Sequence, residues 1–255
     1  THLYLPESTM KRPLATLALT VLAALSIPSA QAGEAEIRQA VQKLAPDAKI
    51  TSIAKSGPQG LLEVVVDGPQ GPMLVYADDK GEYLLIGDLL EVKTKRNLTR
   101  ERMDKLTEVK WDSLPLENAI KVVRGDGKRK LAVFSDPDCP YCRKAEQEFA
   151  KMDNITIYTF PYPLPMHADA ARKSKLVWCS KDRSKAWLDL MLKGKLPEGK
   201  GDCANPVDEN LALGNKLRID GTPAMIFPNG KRVPGYMDAG RLDGLLTEAN
   251  KNGGK

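Results

Sequence analysis

The 255-residue sequence has two histidines, one of them at position 2, so imidazole-based metal catalysis has almost no material to work with. It has no basic tail. Its formal net charge of +5 is spread along the chain, which implies no nucleic-acid partner. Beyond one run near the start it has no long apolar segment, which excludes a polytopic membrane protein. Internal repeats are also absent. Apolar residues make up 42% and charged residues 28%, a globular rather than disordered composition, and the length allows one large domain or two small ones. Cysteine is scarce as well, at four residues, and their placement carries the most information.

Met10-Lys11-Arg12 is followed by an uncharged apolar stretch over 14–27 and by Ser29-Ala30-Gln31-Ala32, small residues in an A-x-A pattern. That order reads as a secretory signal peptide cleaved after Ala32, with 1–9 upstream of a start at Met10. The apolar stretch falls short of the about 20 residues of a membrane span. The expected product is exported to a compartment where disulfides persist.

After the leader, 34–44 reads as an amphipathic helix through Ile37, Val41 and Leu44, stopped by Pro46. Strand-like segments at 50–54, 61–66, 73–77 and 83–86 are separated by turn residues, giving a small antiparallel sheet with one helix over 33–96. So small a unit buries little core alone, and an oligomeric contact would help it. Residues 98–110 alternate charge sign with sparse apolar positions, the pattern of a solvated helix suited to a linker, here 97–114. From 115 to 255 the pattern turns to alternating α and β. Strands are expected at 130–135, 155–160 and 224–227, and a helix opens at 139–150. Further helices are expected around 168–179, 185–192 and 207–217, the last capped by Asn205 with Pro206 at its first position. Asn229-Gly230 signals a hairpin, and Leu242, Leu245, Leu246 and Ala249 mark a closing helix. The triplets at Asn97 and Asn154 match the glycosylation pattern, which arises often by chance.

The chemistry centres on Cys139-Pro140-Tyr141-Cys142, a C-x-x-C between a buried strand and a helix. Unpaired N–H groups and the macrodipole at the helix N-terminus favour an anion at Cys139. Pro140 at the first helical position forfeits no useful N–H. Cys142 lies one turn further in, so Cys139 is expected to attack substrate and Cys142 to resolve the mixed disulfide. A zinc site would want a second close Cys or His pair, which is missing, and a purely structural disulfide would not need the strand-to-helix setting. Thr222-Pro223 precedes a strand, where a proline usually sits at a strand start or a special turn. A cis bond there would turn the Thr222 backbone toward Cys139 to pair with an extended substrate chain, although trans is the commoner state of an X-Pro bond.

These motifs resemble the thioredoxin superfamily, and within it the DsbC/DsbG family of periplasmic thiol:disulfide interchange proteins. The resemblance is carried by Phe134-Ser135-Asp136-Pro137-Asp138-Cys139-Pro140-Tyr141-Cys142, Trp178-Cys179-Ser180-Lys181-Asp182, Gly221-Thr222-Pro223-Ala224, Asn229-Gly230 and Val233-Pro234-Gly235-Tyr236, from about Ile37 to the C-terminus. It implies an α+β, cystatin-like N-terminal dimerisation domain, a linker helix, and an α/β thioredoxin-like domain with a helical insertion at about 163–220. It further implies a V-shaped homodimer in the periplasm that rearranges wrong disulfides in misfolded exported proteins and acts as a chaperone. No cofactor is implied, and a membrane thiol reductase of the Dsb system (DsbD-like) would keep the enzyme reduced. Pro140-Tyr141 is more like the DsbG side, whereas Cys179, Cys203 and Gly221 favour the DsbC side. The superfamily's buried acid six residues before the first cysteine is replaced by Val133, which leaves the proton acceptor for Cys142 unidentified.

The resemblance assigns Cys179 and Cys203 to a structural disulfide, with a second redox pair as the alternative. His167 could tune the Cys139 thiolate, although a surface histidine before a helix is more often inert. Arg143 and Lys144 add positive charge beside the site. Trp178 and Trp187 read as packing residues. Three rivals to a disulfide isomerase and reductase stand open: a DsbG-like reductase of sulfenylated cysteines, a chaperone with incidental thiols, and a dithiol oxidase.

Overall fold

A computed structural model describes residues 29–69 and 71–252. The leader read at 14–27 lies outside the described residues. No helix among those described is long and apolar enough to cross a membrane.

Helix α1 (Ser29–Leu44) begins ahead of the expected 34–44. It packs on a four-stranded antiparallel sheet in sequential order: β1 (Lys49–Lys55), β2 (Leu61–Gly68), β3 (Gly71–Asp78) and β4 (Leu84–Leu85). Alternation assigns the faces. Val64, Val66, Val75 and Ala77 meet Ile37 and Val41 of α1, while Val65, Leu74 and Tyr76 point the other way.

That second face is covered, which corrects the reading of 98–110 as a solvated helix. After a minor pair of strands, β5 (Leu90–Glu91) and β6 (Arg96–Asn97), helix α2 (Leu98–Leu106) lays Met103 and Leu106 on it. The Thr99 and Tyr76 hydroxyls are hydrogen-bonded at 2.6 Å. Sparse apolar positions suffice because the Val65, Leu74 and Tyr76 face supplies the partner for Met103 and Leu106. The helix also stops short of Lys110. The Thr107 N–H and hydroxyl both donate to Met103 O (3.0 and 2.8 Å), and Val109 N–H then donates to Gly230 O (3.0 Å).

The second unit holds a five-stranded sheet, ordered β11-β10-β8-β9-β7. Its strands are β7 (Ile120–Arg124), β8 (Arg129–Ser135), β9 (Ile155–Pro161), β10 (Ala224–Ile226) and β11 (Arg232–Pro234). Only β8 and β9 run parallel, joined through helix α3 (Pro140–Phe149). The sequence reading missed β7, a short strand that buries Ile120 and Val122 and pairs antiparallel with β9. Leu131, Val133, Ile155, Ile157 and Met225 face Ala145 and Phe149 of α3 and Leu242 and Leu246 of α7 (Ala239–Asn252). Ala132, Phe134, Phe160 and Ile226 face the opposite side, toward Leu211 and Leu213 of α6 (Val207–Lys216). Pro206 itself is the N-cap of α6, with Asn205 Oδ1 accepting from Val207 N–H at 3.3 Å, one residue off the expected arrangement. Between β9 and α6 lie α4 (Ala170–Trp178) and α5 (Arg183–Lys193). The Cys179–Cys203 disulfide ties the end of α4 to the segment before α6, with 5.7 Å between Cα atoms.

Phe134 is fully buried, stacked on Phe160 (4.9 Å between centroids) and edge-on to Tyr162 (5.6 Å). Phe134→Ala empties this position under the active-site strand. Chemical unfolding should register a loss of roughly 3–5 kcal/mol, and a loss under about 1 kcal/mol would mean that the site collapses freely.

Candidate active site

The β8–α3 junction carries the two free thiols. Cys139 is the N-cap of α3, with extended backbone (φ −71°, ψ 121°), and Pro140 opens the helix. Cys142 N–H and Arg143 N–H both donate to Cys139 O, at 3.1 and 3.2 Å, closing the first turn. Because β10 runs antiparallel to β8 with Ala224 opposite Phe134, the residues before β10 arrive at the end of β8 where α3 begins. The Thr222–Pro223 peptide bond there is cis. The Cys139 thiol donates to Thr222 O at 3.4 Å, so Cys139 and Thr222, both singled out from sequence, meet. Tyr141 is 58% exposed at the rim, with Lys144 Nζ 5.4 Å from its ring centroid. Arg143 is turned away and donates to Pro137 O at 3.3 and 3.4 Å. The Cys179–Cys203 disulfide is a separate feature of the helical insertion.

Cys142 has no exposed surface. Its sulfur accepts from Asp136 N–H at 3.4 Å. Burial pushes its thiol up to about 12, outweighing the Ser135 and Thr222 hydroxyls and the Asp136 N–H, which favour the thiolate.

Two acids that the sequence reading gave no role organise the surroundings. The Asp136 carboxylate is wholly buried and accepts from Asp138 N–H (2.7 Å) and Leu164 N–H (2.6 Å), and it lies 2.9 Å from His167 Nδ1. Asp136 O also accepts from Cys139 N–H at 3.2 Å, so this one residue grips both cysteines and staples the loop after β9 to the loop after β8. His167 is thereby bound to the turn rather than free on the surface. Glu146 lies one helical turn past Cys142 on the inner face of α3, and its Oε1 accepts from Trp187 Nε1 at 2.7 Å. Burial pushes its carboxyl up to about 7, offset in part by Trp187 and by the charge of Arg124. A signal for Glu146 was present: it interrupts the apolar face Cys142, Ala145, Phe149 at helical spacing.

A thiol at a helix N-terminus, with a second thiol buried one turn deeper, is built to trade disulfides rather than to hold a metal or pack a core. The fold and these thiols define a thiol–disulfide exchange protein of the thioredoxin type. Residues 28–100 match the family model described as the disulfide bond isomerase protein N-terminal domain, and residues 116–250 match a thioredoxin-like domain. The probable thiol:disulfide interchange protein DsbC of Bordetella pertussis (strain Tohama I) is 41% identical over 197 residues, covering 77% of this chain and 68% of that protein. The thiol:disulfide interchange protein DsbC of Escherichia coli (strain K12) is 29% identical over 238 residues, covering 91% and 94%. The crystal structure of a disulfide interchange protein from Neisseria gonorrhoeae is 48% identical, covers 55% of this chain and 99% of its own, and superposes with a TM-score of 0.52. The chain belongs to the DsbC family of thiol:disulfide interchange proteins.

The raised Glu146 carboxyl has a consequence for stability. From its ordinary 4.5 up to about 7, the folded protein retains a proton that the unfolded chain releases, so folding weakens as pH rises through that window. At full ionisation the loss is about 3 kcal/mol. Urea unfolding at about pH 5 and about pH 8 should show wild type losing most of that, roughly 2–3 kcal/mol, relative to Glu146→Gln, since the unfolded chain is already largely ionised at pH 5. A constant difference between the two proteins across the window would contradict it.

Proposed function

We propose that this protein is an exported, homodimeric disulfide isomerase with reductase activity. Cys139 attacks a wrong disulfide in an exported protein and Cys142 resolves the mixed disulfide. The observation that carries this reading is the unequal setting of the two thiols. Cys139 caps the helix beside the Thr222 carbonyl, and Cys142 lies fully buried one turn below. Pro140 preorganises the first turn. Pro223 turns the Thr222 backbone toward the sulfur, where an extended substrate segment can pair with it. Tyr141, exposed at the rim, supplies an apolar contact for that segment.

The homodimer reading is supported by the N-terminal unit. Its edge strand β4 is two residues long, and Leu85, Ile86, Leu90 and Val92 are 50–89% exposed around it. A second copy would cover these side chains and complete a small core. The periplasm is the compartment assigned, and a membrane thiol reductase of the Dsb type is the expected electron donor. The Cys179–Cys203 disulfide is assigned a structural role, since it ties the end of α4 to the segment before α6 and neither cysteine belongs to the C-x-x-C pair. Suppression of aggregation by the same protein would be a chaperone function independent of the thiols.

A second reading, reduction of sulfenylated single cysteines, is favoured by Pro140-Tyr141 between the cysteines. Refolding of scrambled ribonuclease by the leaderless protein separates the two. The isomerase reading expects recovery of ribonuclease activity, lost in Cys139→Ala. No recovery, together with rapid reduction of a sulfenylated protein, would select the second reading.

A further inference from the structure

The resolving thiol poses a problem that the site as described does not solve. With its thiol pushed up to about 12, Cys142 would be ionised at neutral pH in only about one molecule in 10^5. The superfamily's acid is missing, because Val133 occupies its place on β8 and packs into the apolar core. Glu146 is the buried acid nearest in the chain. It follows Cys142 by four residues, which puts the two Cβ atoms on one face of α3 at about 6 Å.

Both side chains meet the same neighbour. Trp187 of α5 packs in one cluster with Cys139 and Cys142, and its indole N–H holds the Glu146 carboxyl at 2.7 Å. From β7, Arg124 is the charged group that favours the Glu146 carboxylate, and its Nε is buried without a hydrogen-bond partner. On α5, Lys185 and Lys193 both pair with Asp189 and not with Glu146. On α3, Arg143 is committed to Pro137 O, and Glu148 pairs with Lys151. From β8 and β9, the side chains packed on α3 are Leu131, Val133, Ile155 and Ile157, which do not titrate. Glu146 is therefore a buried carboxyl that shares its Trp187 neighbour with the Cys142 thiol and has no ion-pair partner among the described residues.

We propose that Glu146 is the proton acceptor for Cys142 in the resolving step, held in place for that task by Trp187. The inference rests on the assignment of Cys142 as the resolving thiol. In the mixed disulfide, Cys142 passes its proton to the Glu146 carboxylate as its sulfur attacks Cys139 Sγ. The Cys139–Cys142 disulfide forms, the bond from Cys139 to the substrate breaks, and the substrate sulfur leaves as a thiolate that takes a proton from water. The enzyme dithiol is oxidised by two electrons and the substrate disulfide is reduced by the same two. Reduction of the enzyme runs the step backwards, with Glu146 returning the proton to Cys142. The carboxyl's own rise to about 7 matches this work, because both of its protonation states are then populated near neutrality.

A chromogenic aromatic disulfide, dithiobisnitrobenzoate, reads the two steps separately. Attack by Cys139 releases one coloured thiolate, and resolution by Cys142 releases the second. Stopped-flow traces of the full protein should give a second-release rate that rises through an inflection near pH 7 in wild type. Glu146→Gln keeps the side-chain volume and an acceptor for Trp187. It should lose the inflection and slow the second release at least about tenfold, with the first release unchanged. Glu146→Asp, which keeps a carboxyl, should restore an inflection. Second-release profiles that superimpose for wild type and Glu146→Gln would overturn the proposal. So would a Glu146→Asp profile identical to that of Glu146→Gln, or equal slowing of both releases, which marks a purely structural residue. Cys142→Ala tests the underlying assignment separately: a second release that survives it removes Cys142 from the resolving role, and the proposal with it.

Discussion

Everything chemical in this molecule depends on how β8 hands the chain to α3. The turn between them must leave Cys139 as the helix cap, 5% exposed beside the Thr222 carbonyl, and must bury Cys142 completely. Asp136 fixes both conditions through its backbone, donating to Cys142 Sγ and accepting from Cys139 N–H. Its buried carboxylate then ties the turn to Leu164 and His167 in the next loop. Two identical thiols three residues apart thereby sit in different settings. A nucleophile needs access and a helix terminus, whereas a resolving thiol needs shelter until a mixed disulfide has formed.

The rest of the fold brings partners to that turn. The antiparallel pairing of β10 with β8 delivers Thr222–Pro223. Helix α5, packed across α3, delivers Trp187 to the inner face, where it meets Cys142 and Glu146 together. The N-terminal unit touches the same body through charged pairs. Arg218 pairs with Asp67 through both carboxylate oxygens, and Lys231 lies 3.1 Å from Asp104. The first joins β2 to the segment after α6; the second, with Val109 N–H on Gly230 O, joins α2 and its exit to the β10–β11 hairpin.

The legible parts of the sequence were those set by strong local signals. C-x-x-C after an apolar strand, proline before β10, Asn229-Gly230, and period-two apolar runs each have one dominant local solution. β7 was missed because Ile120-Lys121-Val122-Val123-Arg124 is short and half exposed, and it owes its strand form to pairing with β9. The docking of α2 was hidden because two apolar side chains look too few until Tyr76 appears beneath them. Asp136 and Glu146 were hidden for a related reason. An acid in a sequence reads as a solvated group, and only tertiary packing reveals which acid has been taken out of water.

The central claim is that Cys139, and not Cys142, is the sulfur that meets substrate. Incubation of Cys142→Ala and Cys139→Ala with a disulfide-bonded unfolded protein, quenched in acid and mapped by peptide mass spectrometry, tests it directly. The account predicts a covalent substrate adduct on Cys139 in the first variant and essentially none on Cys142 in the second. Adducts of equal yield on Cys142 would contradict the division of labour between the two thiols.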